Sequence, residues 1–518
     1  MAKKVVIIGG GHNGLVCAAY LARAGKQVTV LEKRHVLGGA AVTEEFYPGF
    51  RNSVCSYTVS LLNPKVISEL NLYQHGLKII PRAVNNFLPL PDGDSFASIT
   101  GVLDEEVRRF SNRDVQALHD YEANIAAVVP VIKELMLMTP PALNGAGLSD
   151  YFGLFRLSRR FSKLDRKQQQ FLLTLFVRSA GEVLDDQYET PALKALFGFD
   201  AIVGNYASPY MPGNGYNLLH HLIGEVHGES GRWGHAIGGM GAISDAIVAE
   251  GKKYGVRYHT NCAVSEVLLE NKHVRGVATS DGATHDADIV VAGINPVLLF
   301  THLLDQDEVP EEWLSHFRQY KCGSGAFRLN LALNGLPEFP GRKVQDYLTA
   351  GIILGSSLNY MDAAWQSARS QGWSDEPVVE MLIPSLVDDS LAPDGCHVAS
   401  LFCQHFSPDL KSDWDTKKEQ AVTAILETVE ASFPGFRSLI EAQQVLSPWD
   451  LEQEFGLVGG DIFHGRMSPE QLFSVRPALG LAQYALPFKG LYLCGSGAHP
   501  GGGVSGLPGH NAARQILA

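Results

Sequence analysis

Gly9, Gly11, Gly14 and Glu32 are the residues of this chain whose types and spacing point most directly to chemistry. The three glycines follow Gly-x-Gly-x-x-Gly, and Glu32 lies 18 residues beyond Gly14. Gly9 suits a tight turn, Gly11 lets backbone approach a pyrophosphate, and Gly14 lets a helix pack close to a sheet. His12 and Asn13 open that helix, where free N–H groups and the positive dipole end favour phosphate. Glu32 can accept both hydroxyls of an adenosine ribose, and an acid there favours an unphosphorylated ribose over a 2′-phosphate.

The flanking elements must hold these residues. Val5 to Ile8 is an apolar run before Gly9, a helical pattern follows to Gly25, and a second apolar run, Val28 to Leu31, leads into Glu32. That order predicts a strand–turn–helix–strand unit around a bound dinucleotide. Lys33, Arg34, Gly38, Gly39, Ala40 and Ala41 come next, and the glycine pair lets backbone pass close to a second part of the same cofactor. This doublet resembles that of glutathione-reductase-type flavoproteins, where it lies beside the pyrophosphate; the resemblance implies FAD rather than NAD.

A chain of 518 residues has room for two or three domains and a large core. With 45% apolar and 19% charged residues it reads as an ordinary globular protein. Its net charge of −13 argues against a general nucleic-acid binder, so no nucleic-acid partner is expected. Seven dispersed cysteines form no CxxC, which signals neither a dithiol redox centre nor a zinc knuckle and suits a reducing compartment. Cys17 and Cys494 read as small core residues. The first strand begins near Lys4, leaving no room for a leader, and no run of 18 apolar residues occurs. The expectation is a cytoplasmic protein with at most peripheral membrane contact.

Residues 105 to 230 read as mostly helical. Within them, Phe155 to Phe171 carries Arg156, Arg159, Arg160, Lys163, Arg166 and Lys167 among apolar residues. Two readings stand: a solvated helix face, which base rates favour, and a surface for an anionic membrane. Beyond Gly238-Gly239-Met240-Gly241 a helix is predicted through Ala242 to Glu250. Strands follow at 256–259, 263–269, 274–279 and 288–292, with Asp281-Gly282 as a hairpin turn. Further strands are predicted at 326–333 and 378–383, and a helix at 417–433. Val264 is included among the cofactor-binding candidates. The pair His220-His221 lacks metal-ligand partners at useful spacing and reads as structural, and no metal is expected.

Near the end, Gly490 to Gly495 reads as a buried strand, followed by Ser496, His499 and the run Gly501-Gly502-Gly503-Val504, then a terminal helix. Bare N–H groups at a helix start can stabilise negative charge. Gly495, Ser496, Gly502, Gly503 and Val504 are therefore expected at the cofactor, the last three at the N1–C2=O edge of a reduced flavin.

Together the opening fingerprint, Gly238-Gly239-Met240-Gly241-Ala242, and GLYLCGSGAHPGGGVSGLPGHNAA resemble the phytoene desaturase family of FAD enzymes over nearly the whole chain. That family includes carotenoid desaturases, isomerases and ketolases. The resemblance implies an α/β fold: a glutathione-reductase-type Rossmann FAD-binding domain built from discontinuous segments, 1–75, 231–300 and 484–518. An inserted α+β substrate domain with a helical cap would comprise 76–230 and 301–483. Without a second nucleotide fingerprint, a dedicated NAD(P)H domain is not expected.

The expected activity is hydride transfer between flavin N5 and a largely apolar, carotenoid-like small molecule, since the cofactor carries the hard chemistry. The catalytic candidates are His499, Arg328 and His464. Arg328 lies on an otherwise apolar strand, where related amine oxidases place a lysine bridged by water to N5. An arginine remains protonated and cannot act as a base there, but it could steer an anion or hold water. Each candidate also has a purely structural reading. Two alternatives stay open: a carotenoid ketolase, and a flavin-containing regulatory or scaffold protein with little turnover. The electron acceptor (oxygen, quinone or nicotinamide) and a homo-oligomeric assembly are left unassigned.

Overall fold

Val5 to Ile8 form an unbroken apolar run because both faces of their strand are covered, as a parallel sheet between helices requires. The computed structural model describes residues 2–142 and 148–518. Strands Lys4–Ile8 (β1), Gln27–Leu31 (β2), Arg257–His259 (β3), Ile289–Ala292 (β4) and Leu491–Leu493 (β5) make one parallel sheet in the order β3-β2-β1-β4-β5. The order reverses at β1, so the crevice for a ligand opens at the carboxyl ends of the strands there. Gly9, Glu32, Gly293 and Cys494 immediately follow four of those ends.

Helix α1 (His12–Arg23) packs against α2 (Gly241–Lys253) and α3 (Leu507–Leu517). Two glycines make this closeness attainable. A Cβ on Gly14 would stand 2.4 Å from the Gly9 carbonyl oxygen, and one on Gly509 would stand 2.1 Å from that of Asn13. Beside the sheet, Val264–Glu270, His273–Thr279 and Thr284–Asp286 form an antiparallel meander; the strand after the Asp281-Gly282 turn is 284–286, while the expected 288–292 strand joins the parallel sheet instead. At its second turn Gly282 takes φ +85°, and the Asp281 carboxylate accepts the Thr279 hydroxyl at 2.6 Å.

A second, seven-stranded sheet runs in the order 440–446, 327–333, 397–403, 379–382, 351–354, 84–89, 95–99. Strand Phe327–Leu333 lies inside it and is buried along its length. Register places Arg328 opposite Phe402 and Asn330 opposite Ser400, which puts these four side chains on one face. The other face packs Phe327, Leu329, Leu331 and Leu401 with Trp414, Ile425 and Val429 of helix Trp414–Ser432.

The stretch expected to be helical is so from Leu103 to Leu222 among the described residues. Its longest helix, Asn112–Leu137, is capped by Ser111, whose hydroxyl accepts the Asp114 N–H. At the other end, carbonyls of the last turn are met by distant side chains. His499 Nε2 meets the Leu135 carbonyl at 2.9 Å, and Asn511 donates to that of Met136 at 2.9 Å. Among the described residues no helix is long and apolar enough to cross a membrane, and all seven cysteines are free.

Candidate cofactor and substrate site

One cavity of about 400 Å³ follows the carboxyl ends of the parallel strands. Glu32 stands at one end, 6% exposed, with one oxygen accepting the Gly10 N–H at 2.7 Å and the other the Arg34 N–H at 2.8 Å. Each oxygen keeps a lone pair for a ribose hydroxyl. Lys33 Nζ reaches the Gln453 carbonyl at 3.2 Å, and the Arg34 guanidinium lies 4.4 Å over the Phe455 ring. Phe455, Gly456 and Leu457 thereby cover this end of the cavity.

Next comes the start of α1. Its N-cap Gly11 is extended (φ −65°, ψ 159°) and supplies no side-chain cap. A Cβ on Gly11 would meet nothing nearer than Gly39 Cα at 3.9 Å, so the space above it is open to a ligand. Gly38 ties the two glycine motifs together: its N–H donates to the Gly10 carbonyl at 2.8 Å, and its carbonyl accepts the His12 N–H at 3.2 Å. An uncapped helix start, an open glycine face and an acid in the wall of the same groove fit an adenine dinucleotide.

Gly9, Gly11, His12, Asn13, Glu32, Lys33, Arg34, Gly39, Ala40, Val264, Ser496, Gly503 and Val504 all line this cavity. Gly14, Gly38, Ala41, Gly495 and Gly502 do not; they pack behind it. A Cβ on Gly495 would come within 2.9 Å of Gly293 backbone, and one on Gly502 within 2.4 Å of Phe463 Cα. The terminal glycine loop also departs from expectation. Helix α3 starts at Leu507 with Gly506 as N-cap, so Gly502 to Val504 precede the helix rather than open it. Asn13 Nδ2 donates to Ser496 Oγ at 3.0 Å, His12 Nε2 lies 3.3 Å from the Gly503 carbonyl, and Asn13 Oδ1 is left buried without a partner.

The three catalytic candidates do not converge. His464 lines the cavity with a left-handed backbone (φ 57°), and its Nδ1 has no partner. Burial, helped by His12 and Arg476, lowers its pKa to about 3, so the ring is neutral. His499 is off the wall and instead ties the terminal glycine loop to helix Asn112–Leu137. Arg328 is also off the wall. It is neither exposed nor salt-bridged: its guanidinium donates to the carbonyls of Ser53, Val54 and Leu401, to Ser400 Oγ and to Asn330 Oδ1. It lies 4.7 Å from the centroid of Tyr57 and 5.7 Å from that of Phe402, both rings of the wall.

Sequence reasoning passes over several wall residues. Tyr57, Phe402 and Trp233 form an aromatic end to the cavity, and His221, read as structural, stands in the wall with its pKa lowered to about 4 by burial. Arg476 is missed too. It is fully buried and donates to the carbonyls of Phe463, Gly465, Arg466, Gln471 and Ser496, joining the His464 segment to the glycine loop. The stretch Cys55 to Leu61, six of whose residues line the cavity, carries no spacing signature; only a lone Arg before Pro477 marks the other segment.

Comparison with known proteins gives a consistent result. Residues 14–517 match the family described as flavin containing amine oxidoreductase. Pyridine nucleotide-disulfide oxidoreductase domain-containing protein 2 of Rattus norvegicus is 37% identical over 538 aligned residues, covering 99% of this chain and 93% of that protein. Phytoene desaturase (lycopene-forming) of Pseudescherichia vulneris is 24% identical, covering 98% of this chain and 96% of its own. A solved oxidoreductase from Methanosarcina mazei shares the fold with a TM-score of 0.63 at 17% identity, over 99% of both chains.

Proposed function

The chain belongs to the flavin containing amine oxidoreductase family and is an FAD-dependent oxidoreductase, and on that premise we propose that it desaturates or dehydrogenates a largely apolar small molecule. The observation that carries this reading is the continuity of the cavity: it runs from Glu32 past the glycine motifs to Tyr57, Trp233 and Phe402 without a carboxylate at the aromatic end. Bound FAD supplies a hydride-accepting N5.

The chain's own residues hold and shape the reaction space. Glu32 takes the adenosine ribose, the start of α1 faces the pyrophosphate, and Ser496, Gly503 and Val504 border the flavin end. His464 is a neutral ring on the wall whose Nδ1 is buried without a partner, suited to shape the reaction space rather than to take a proton. Arg328 and His499 act as positioning residues. In this reading residues 1–75, 231–300 and 484–518 form a glutathione-reductase-type FAD domain, and 76–230 with 301–483 form the substrate domain and its cap. The acceptor that reoxidises the flavin is oxygen, a quinone or a nicotinamide. Tyr151, Leu154 and Phe155 are exposed beside Arg159 and Lys163, which supports peripheral contact with an anionic membrane from a cytoplasmic location.

Anaerobic titration of the purified flavoprotein with apolar alkene and terpenoid candidates tests the proposal. Bleaching of the flavin absorption by one of them is the expected result. A flavin-loaded protein that none of them reduces, yet which retains a stable protein partner, points to the scaffold alternative.

A further inference from the structure

Two buried arginines stand behind the cavity wall, and among the described residues neither has a carboxylate within salt-bridge distance, although buried Asp461 lies close enough to Arg476 to feel its charge. Arg328 is 1% exposed and Arg476 is 0% exposed. Every hydrogen-bond partner of Arg328 is neutral, and those of Arg476 are all backbone carbonyls. Burial lowers the Arg328 pKa, yet an arginine starts so high that it stays charged at neutral pH.

The negative groups near Arg328 do not cancel its charge. Glu380 accepts the Tyr57 hydroxyl and lies 3.5 Å from Arg82, so it is already balanced. Burial raises Asp200 to about 8, which leaves it neutral at pH 7. Among the described residues that line the cavity, the only carboxylate is Glu32, at the far, dinucleotide end. The imidazoles of His12, His221 and His464 are neutral. The aromatic end therefore sits in a positive field transmitted through Tyr57 and Phe402, and in a low-dielectric interior such a field acts across a ring's thickness.

We propose that this uncompensated charge sets the substrate class: the cavity selects an apolar molecule ending in a carboxylate over the corresponding ammonium, despite the amine in the family's description. The inference rests on the reading of the cavity as a flavin and substrate site. An ammonium entering there loses its water and meets no carboxylate, whereas a carboxylate loses water into a favourable potential.

The test uses the full-length, FAD-loaded, oxidised protein titrated with decanoate and with decylamine, read by the shift of the flavin absorption bands. Decanoate is expected to bind at least about tenfold more tightly. Arg328→Met should bring the two affinities to within about threefold, while Arg328→Lys, which keeps the charge, should retain the preference. If Arg328→Met does not fold, Glu380→Gln takes its place; removing that negative charge should widen the preference. Equal or tighter binding of decylamine, binding of neither compound, or a ratio unmoved by these charge changes overturns the proposal. Failure of the underlying reading is distinct, because that protein would purify without flavin.

Discussion

Arg476 grips the backbone on both sides of His464. Its Nη2 donates to the Phe463 carbonyl at 2.7 Å and to the Gly465 carbonyl at 3.2 Å, and the same nitrogen reaches Ser496 at 2.9 Å. The left-handed turn at His464 is thus held from behind while its ring is left to the cavity. Arg476→Met leaves several buried carbonyls without a donor and should cost at least about 3 kcal/mol, read by urea denaturation. Arg476→Lys should recover part of that loss. A Met variant as stable as the wild type would remove Arg476 from this role.

Two glycines of the same fingerprint should fail in different ways. Gly11→Val places its side chain in space that protein atoms leave open. The variant should keep its circular dichroism and lose its FAD, because only the cofactor is displaced. Gly14→Ala drives a methyl to 2.4 Å from the Gly9 oxygen, so it should lower the melting temperature of the whole protein. Full retention of flavin by Gly11→Val would refute the assignment of the site.

Acid should destabilise the fold through its buried histidines. Burial lowers His12, His221 and His499 to about 4, and His220 and His464 to about 3, from an ordinary 6.5. Between those values the unfolded chain binds protons that the folded one refuses. Stability is therefore complete above pH 6.5 and falls as pH drops toward 4, at up to about 1.4 kcal/mol per pH unit for each histidine. Calorimetry at pH 7.5 and 5.5 should show the lower melting temperature at pH 5.5; equal values would contradict the neutral, buried state of these rings.

Helix Leu148–Phe161 spends two of its basic residues internally: Arg156 and Arg160 both pair with Glu134, at 2.7 and 2.8 Å. Arg159 and Lys163 remain beside exposed Tyr151 and Phe155. Co-sedimentation with phosphatidylserine–phosphatidylcholine vesicles should be seen at low salt and vanish at high salt. Reversing both charges, Arg159→Glu with Lys163→Glu, should weaken it by at least about tenfold. Binding that survives a high-salt wash would argue for a different mode of attachment.

Much of the nucleotide end was legible because it is local chemistry. Gly9 to Gly14 and Glu32 lie within one strand–helix–strand unit, and their spacing is set by backbone geometry rather than by distant contacts. The aromatic end was opaque for the opposite reason. Tyr57 and Phe402 meet only after the second sheet pairs strands separated by most of the chain, and neither stands in a pattern of its own. His499 misled because proximity in sequence to the glycine loop says nothing of where its ring points; the ring caps a helix 364 residues away. Arg328 stands out in the sequence as an oddity on an apolar strand, but its neighbours in space, not its strand, determine that it stands behind the wall.

The parallel sheet takes β1 from the beginning of the chain and β5 from residues 491–493. A ribosome adding about 5–20 residues per second needs roughly half a minute to a minute and a half between them. From the synthesis of β4 at residues 289–292 until the end of that interval, its outer side has no partner strand, and the glycine loop beside the cavity does not yet exist. Cofactor capture is therefore expected to wait for residues 491–504, and a chain lacking them is expected to hold no flavin.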